Sequence, residues 1–374
     1  MKIAIVCYPT FGGSGVVATE LGIALSHQGH EIHFITYKQP VRLDVLGDNL
    51  YFHEVHVPDY PLFHYQPYEL ALSSKLVDTV KTYGIELLHV HYAIPHAYAA
   101  YMSKQILKDE GIEIPIVTTL HGTDVTLVGN HPFYKPAVTF SINHSDCVTS
   151  VSESLKQDTL KLFDVTQDID VIPNFVDFSK HQFHSQDCQR SAIAKPNEKI
   201  ITHISNFRKV KRIDDVIEVF YRVQKEVNVI LLMVGDGPER LAAMETCQEL
   251  GIENRVKFLG KSNQVYAILC YSDIFLLPSA SESFGLAALE AMMMRTAVIS
   301  TNVGGLSEVN FEGESGYLFE LGDVEGMANR SIQLLKDEKV LEKIKDNAHE
   351  IAKKFDIDTI VSQYLTVYKK ALYS

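Results

Sequence analysis

Short β-branched runs alternate with helix-period segments along almost the whole chain, and the alternation starts twice. In the first half the runs fall at 2–7, 31–36, 85–91, 114–119 and 146–151. In the second half they fall at 199–205, 228–234, 255–259, 273–277, 296–300 and 316–319. Helical stretches such as 67–83, 212–226, 238–250 and 323–336 separate them. Strands that are apolar throughout, each followed by a helix, predict α/β architecture with parallel sheets covered on both faces. The pattern breaks at 173–197, which has no clean period, and restarts at KIITHIS. With 374 residues, too many for one ordinary core, the break reads as a linker between two doubly wound domains facing each other across a cleft. Ligands of such sheets bind beyond the carboxyl ends of the strands. The tail, 338–373, reads as helical with a solvated charged face.

Bulk properties narrow the function classes. A composition of 46% hydrophobic residues argues against disorder, and a net charge of −13 disfavours a general nucleic-acid binder. Any anionic ligand then needs its own local cations. No apolar run approaches the roughly 18 residues of a membrane span, so no membrane insertion is expected, and KIAIV near the start reads as a strand rather than a signal segment. Cys7, Cys147, Cys188, Cys247 and Cys270 are scattered without a CxxC pair. That spacing is neither a disulfide nor a zinc framework and predicts a cytoplasmic setting.

The most informative stretch is SASESFGLAALEAMMM, 279–294. It predicts a helix from Phe284 to Met294 in which Glu290 is the one charged residue, a costly placement unless a partner satisfies it. Ser281 and Ser283 are good N-cap types, which puts Glu282 at the helix mouth, with Glu290 two turns on along nearly the same face. The free N–H groups of Phe284, Gly285 and Leu286 would form an anion site there. The alternative is a capped core helix with Glu290 in a buried hydrogen bond. Next, NFRKVKRIDD follows the strand IITHIS and gathers Arg208, Lys209, Lys211 and Arg212 at a helix start, where cations are unfavourable without an anion. A diphosphate clamped by Arg208 and Lys211 explains the cluster; a solvated turn neutralised by Asp214 and Asp215 is the plainer reading. GDGPER, 235–240, is a turn between strand and helix.

In the first half, His89, His91, His96 and His121 stand at strand ends, but no metal-ligand spacing joins them. His89 and His91 share a strand, so one face alone reaches the ligand, and His121 in HGTD is the better functional candidate. The triplets Asp168-Ile-Asp170 and Asp356-Ile-Asp358 lie away from carboxyl strand ends and read as surface charge, so no metal site is expected. Gly13, Gly15 and Ala18 in CYPTFGGSGVVA match a dinucleotide fingerprint, yet no acidic residue lies between Glu31 and Asp44 to hold a ribose. An NAD oxidoreductase is therefore disfavoured. Gly12, Gly13 and Ser14 read instead as one lip of the cleft, touching donor phosphate and acceptor.

These motifs together resemble the retaining glycosyltransferases of the GT-B fold, family 4. The resemblance rests on E-x7-E (Glu282 to Glu290), the run around Lys211, GDGP, FLGK at 258–261, TNVGGLSEV at 301–309 and VIPNFVD, nearly end to end. It implies two Rossmann-like domains. Residues 1–172 would bind the acceptor, with a helix at about 357–374 packing back on them, and 173–356 would bind the nucleotide sugar. By the same resemblance, Glu290 holds the ribose of UDP and Glu282 the sugar hydroxyls. Lys211 and Arg208 neutralise the diphosphate, Phe284 to Leu286 offer N–H groups to it, and Lys261 lies beside the uracil. His121 sits on the sugar's face, while Ser14, Tyr92 and Thr119 position the acceptor. Asn206 stands where many members carry arginine, which leaves the charge to Arg208, and Met293 to Ala297 departs from the family's A-C-G-x-P turn. YPTFGGSGVVATELG, LHVHYAIPHA and TTLHGTD look closest to members joining UDP-GlcNAc to L-malate with no cofactor. Another small acceptor such as an inositol phosphate, a UDP-sugar epimerase and a sugar-nucleotide-binding regulator are the competing readings. The oligomeric state stays open, a homo-oligomer included.

Overall fold

The computed structural model describes residues 1–10, 13–43, 47–58, 65–179 and 190–373. Gly12 of the glycine turn and Cys188 lie outside the described residues. Residue contacts divide the chain into two units, Met1–Asn174 together with Ile357–Ser374, and Phe175–Asp356.

The first unit is built on β1 (Lys2–Val6), β2 (Glu31–Thr36), β3 (Leu50–Glu54), β4 (Leu87–His91), β5 (Ile116–Leu120), β6 (Cys147–Ser150) and β7 (Ile169–Val171). Their order in the sheet is β3-β2-β1-β4-β5-β6-β7, with every pairing parallel. Both faces of β1 are buried, Ile3 and Ile5 on one and Ala4 and Val6 on the other, whereas β4 buries Leu88 and Val90 on one face and Leu87 with His89 and His91 on the other. β3 and β7 carry no such run. LYFHE is an edge strand with Tyr51 exposed, and β7 has three residues, so neither shows the apolar signature the other strands share.

The second unit repeats the plan with β8 (Lys199–Ile204), β9 (Val229–Val234), β10 (Val256–Gly260), β11 (Ile274–Leu277), β12 (Ala297–Thr301) and β13 (Gly316–Phe319), ordered β10-β9-β8-β11-β12-β13 and all parallel. The helix Ile213–Val223 covers one face, burying Ile213, Val216, Ile217, Phe220 and Val223 at helical spacing against Leu231, Met233, Ile274 and Leu276.

The charged tail is two helices rather than one, Glu338–Ala352 and Ile357–Tyr373, and they belong to different units. In the last helix Ile360, Val361, Tyr364, Val367 and Tyr368 are buried along one stripe in the first unit. Cys7, Cys147 and Cys247 are free thiols, whereas Cys270 is disulfide-bonded, which the scattered spacing did not foresee. No described helix is long and apolar enough to cross a membrane.

Candidate active site

In each unit the strand order reverses direction between two central neighbours, β1 and β4 in the first and β8 and β11 in the second. Loops leaving the carboxyl ends of such a pair diverge and open a crevice. Ser14 and Tyr92 lie at the first switch point, with Thr119 and His121 on and after the neighbouring β5; Asn206, Arg208, Lys211 and Glu282 lie at the second, while Lys261 follows the edge strand β10.

In the second unit the chain leaves β8 through Asn206, Phe207 and Arg208, and leaves β11 through Ser279 to Glu282. A backbone bond laces the two loops together, Ala280 N–H donating to the Val210 carbonyl (2.8 Å), and the loop after β9 ties to the first of them through Glu239 N–H to the Phe207 carbonyl (3.0 Å). The loop after β12 also joins, through Gly305 N–H to the Glu282 carbonyl (2.9 Å) and Thr301 Oγ1 to the Ser279 carbonyl (2.6 Å). This lacing brings Lys211 Nζ to Glu282 Oε1 at 2.5 Å, an ion pair in which Lys211 is 19% and Glu282 12% exposed. Ser279 Oγ donates to the same oxygen at 2.8 Å. Two residues 71 apart in sequence thus form one polar unit at the switch point.

Glu290 is 8% exposed and accepts from Tyr266 Oη at 3.2 Å, which supplies the partner its apolar helix demanded. The helix itself runs Leu286–Met293, two residues later than the sequence pattern predicts. Gly285 takes its N-cap with φ 97 and makes no side-chain cap, so Ser281 and Ser283 lie in the preceding loop and Glu282 is off the helix. A Cβ on Gly285 would stand 2.5 Å from Leu306 Cδ2, so glycine is required both by backbone and by space. Phe284 is buried with its ring against Phe355 (5.8 Å between centroids), and the N–H groups of the first helical turn start from there without intrahelical acceptors.

The basic cluster separates into distinct roles. Arg212, at φ 49, pairs with Asp215 through both ends of its guanidinium, and that partner raises its pKa. Lys211 takes Glu282. Arg208 and Lys209 are exposed, and Arg208 makes no side-chain bond among the described residues. Asn206 is exposed beside it, and Lys261 is exposed just past β10.

In the first unit Gly13 and Ser14 open the helix Gly13–His27, and Ser14 Oγ shares a 2.6 Å hydrogen bond with Tyr92 Oη. Tyr92 follows β4 at φ 85, its N–H donating to the Thr119 carbonyl (2.9 Å). Its ring lies 5.2 Å from that of Tyr8 and 5.1 Å from that of His121. His121 Nε2 meets His91 Nδ1 at 2.8 Å. Thr119 is fully buried, and its hydroxyl is committed to His89 Nε2 (2.8 Å) and Thr149 Oγ1 (2.7 Å), so its carbonyl, which holds Tyr92, is the part that reaches toward the site.

Besides Tyr266, two contributors in the first unit escaped sequence reasoning. Asp124 is 2% exposed and accepts from the N–H groups of Ala93 (2.9 Å), Gly122 (2.9 Å) and His121 (3.2 Å), tying the loop after β5 to the turn after β4; burial raises its pKa against those bonds. A carboxylate two residues past a glycine turn is the signal that marks it. Tyr368, on the last helix, meets His89 Nδ1 at 2.7 Å, a partnership across 279 residues that no local pattern announces. Among the described residues no three His, Cys, Asp or Glu side chains are grouped to hold a metal ion.

Burial keeps the histidines neutral. It lowers His89 and His121 to about 3 and His96 to about 4, with His91 well below 6.5; His203 in the second unit is also lowered to about 4. Folded values below the unfolded 6.5 mean that the unfolded chain binds protons first as pH falls. Stability is therefore complete above about pH 6.5 and declines toward pH 4. Thermal melts should show a midpoint at least about 5 °C lower at pH 5 than at pH 7.5. A flat profile would contradict the buried neutral cluster.

Comparison with known proteins follows the same division. The family "Glycosyltransferase Family 4" matches residues 11–180, and "Glycosyl transferases group 1" matches 185–351. The chain is 47% identical to the N-acetyl-alpha-D-glucosaminyl L-malate synthase of Bacillus anthracis, over all of this chain and 97% of that one. It is 24% identical to the 2-deoxystreptamine N-acetyl-D-glucosaminyltransferase of Niallia circulans, over 96% of this chain and 97% of that one. Among solved structures, Anabaena HepE in complex with UDP-glucose superposes with a TM-score of 0.83 at 21% identity, covering 99% of each chain, which identifies the two-sheet architecture as GT-B.

Proposed function

Because the chain belongs to glycosyltransferase family 4, we propose that it moves N-acetylglucosamine from UDP-GlcNAc to the hydroxyl of L-malate with retention at C1, the first step of bacillithiol biosynthesis. The observation that carries this reading is identity of 47% to the malate-using synthase of B. anthracis, sustained from one end of the chain to the other.

The second unit takes the nucleotide. Glu290 receives the ribose hydroxyls and Lys261 lies beside the uracil. The N–H groups of Phe284, Gly285 and Leu286 face the phosphates, flanked by Lys211 and Arg208, with Asn206 alongside. Glu282 holds sugar hydroxyls. In the first unit Ser14, Tyr92 and the Thr119 carbonyl place the acceptor, and His121 faces the reacting sugar. In the reaction the bond from C1 to the β-phosphate oxygen breaks and the bond from C1 to malate's hydroxyl oxygen forms on the same face. The hydroxyl proton passes to the departing phosphate oxygen, and UDP leaves. Negative charge builds on that oxygen, and fixed cations with aligned N–H groups stabilise charge at such a position without reorganising. No divalent metal enters this scheme, and the protein works in the cytoplasm.

Incubation with UDP-GlcNAc and L-malate should yield UDP and a product of the mass of N-acetylglucosaminyl malate, with an α-anomeric proton coupling. Excess EDTA should leave the rate within about twofold, since a lost metal would remove charge stabilisation of several kcal/mol. Transfer to inositol phosphate instead of malate would reassign the acceptor. Epimerised UDP-sugar without malate dependence, or UDP binding with no turnover, would replace the transferase reading altogether.

A further inference from the structure

We propose that His91 is a positioning residue that fixes His121 in the tautomer carrying its proton on Nδ1, so that His121 presents a hydrogen-bond donor to a substrate oxygen. The proposal rests on the reading above, in which His121 faces the substrate.

His91 and His121 stand ring against ring, 5.0 Å between centroids, with 2.8 Å between His91 Nδ1 and His121 Nε2. Burial holds both imidazoles neutral, so each ring has one N–H and the short contact contains one proton. That proton can belong to either ring. If His121 donates from Nε2, His91 must accept through Nδ1 and carry its own proton on Nε2. His91 is fully enclosed and its Nε2 has no hydrogen-bond partner, so this choice strands a buried donor. If His91 donates from Nδ1, its Nε2 is a bare lone pair, and the proton of His121 moves to Nδ1. His121 is the member of the pair with residual exposure, 8% against 0%, and its Nδ1 makes no bond among the described residues. The second arrangement leaves no donor enclosed and unpaired, and it turns the one remaining N–H toward the open side.

The backbone holds both rings in register for this bond. His96 Nδ1–H donates to the His91 carbonyl at 2.5 Å, and the Asp124 carboxylate accepts the backbone amide N–H of His121 at 3.2 Å. A neutral His121 that donates, rather than accepts, suits a hydroxyl or ring oxygen of a sugar. The wrong tautomer of a correctly placed histidine is known to be costly in catalysis.

Three variants separate the bond from mere packing. His91→Asn keeps an N–H near the Nδ1 position, His91→Gln places it near Nε2, and His91→Leu removes it. Long-range proton–nitrogen NMR spectra of the 15N-histidine protein, with the two rings assigned by signals missing from position variants, read the tautomer directly among the 16 histidines. The expected result is protonated Nδ1 on His121 in the wild type and in His91→Asn, and a mixture in the other two. kcat should fall at least about tenfold in His91→Leu and His91→Gln, and less than about threefold in His91→Asn, with UDP affinity preserved throughout. Protonated Nε2 on His121 in the wild type overturns the proposal, as does equal kcat for the Asn and Gln variants. If the wild type itself fails to use UDP-GlcNAc and malate, the functional reading falls while the spectra still decide the tautomer.

Discussion

Alanine at Lys211 is expected to lower kcat by about 10²- to 10³-fold, the cost of removing one preorganised group aimed at developing charge. Lys211 sits at the switch point of the second sheet, where its ammonium lies 2.5 Å from Glu282 and is only 19% exposed. In so sheltered a place a charge interacts more strongly than on the surface, and removing one partner strands the other. Glu282 would keep only the Ser279 hydroxyl at 2.8 Å, and in the proposed reaction the leaving diphosphate would lose a sheltered cation. The effect should fall on kcat more than on binding of UDP, because the charge on the bridging oxygen grows only as the bond breaks. Lys211→Arg should recover part of the rate, since charge is kept while the guanidinium's shape differs. Activity of Lys211→Ala within about twofold of wild type, measured with saturating UDP-GlcNAc and malate, would remove Lys211 from the site.

The fold was legible wherever both faces of a strand are buried. After Lys2, β1 is a continuous apolar run, as is β9; β4, β8 and β12 are buried runs in which histidine, threonine or serine stands among the apolar residues, and the helices between them repeat at helical spacing. What stayed hidden was either half-exposed, as with β3, or stabilised by partners far along the chain. The residues Lys211, Glu282 and Glu290 stand out individually because charge in an apolar or cationic setting needs an explanation. Their arrangement does not: the pairing of Lys211 with Glu282 depends on the Ala280–Val210 backbone bond, which no local pattern encodes. The helix start was misread for a related reason. Ser281 and Ser283 are good capping residues by type, but Gly285 reaches a left-handed conformation they cannot adopt cheaply, and it takes the cap. Tyr266 and Tyr368 show the same limit, since a tyrosine on a helix carries no mark of the distant carboxylate or imidazole it will meet.

The loop after β12 supplies the second large expectation. Gly304 has φ 54, and a Cβ there would stand 1.9 Å from the carbonyl oxygen of Glu282 and 3.0 Å from its carbon. Neither side can yield cheaply. The same carbonyl accepts the Gly305 N–H at 2.9 Å, and the Glu282 loop is held by Ala280 to Val210 and by Thr301 to Ser279. Gly304→Ala must therefore displace Glu282 or open the loop, and it is expected to cost about 2–4 kcal/mol of stability. A shift of about 1 Å in Glu282 would also separate it from Lys211, with a loss of about 10²-fold in kcat. Gly313→Ala is the control, because Gly313 has φ 73 but nothing within 4 Å of its would-be Cβ. It isolates left-handed backbone strain, about 1 kcal/mol, from collision. Thermal melts and kcat measured on the two variants should diverge, with Gly313→Ala close to wild type in rate. Equal melting points and equal rates for the two would mean that the Glu282 loop moves aside freely, and the rigid placement of the Lys211–Glu282 pair would have to be abandoned.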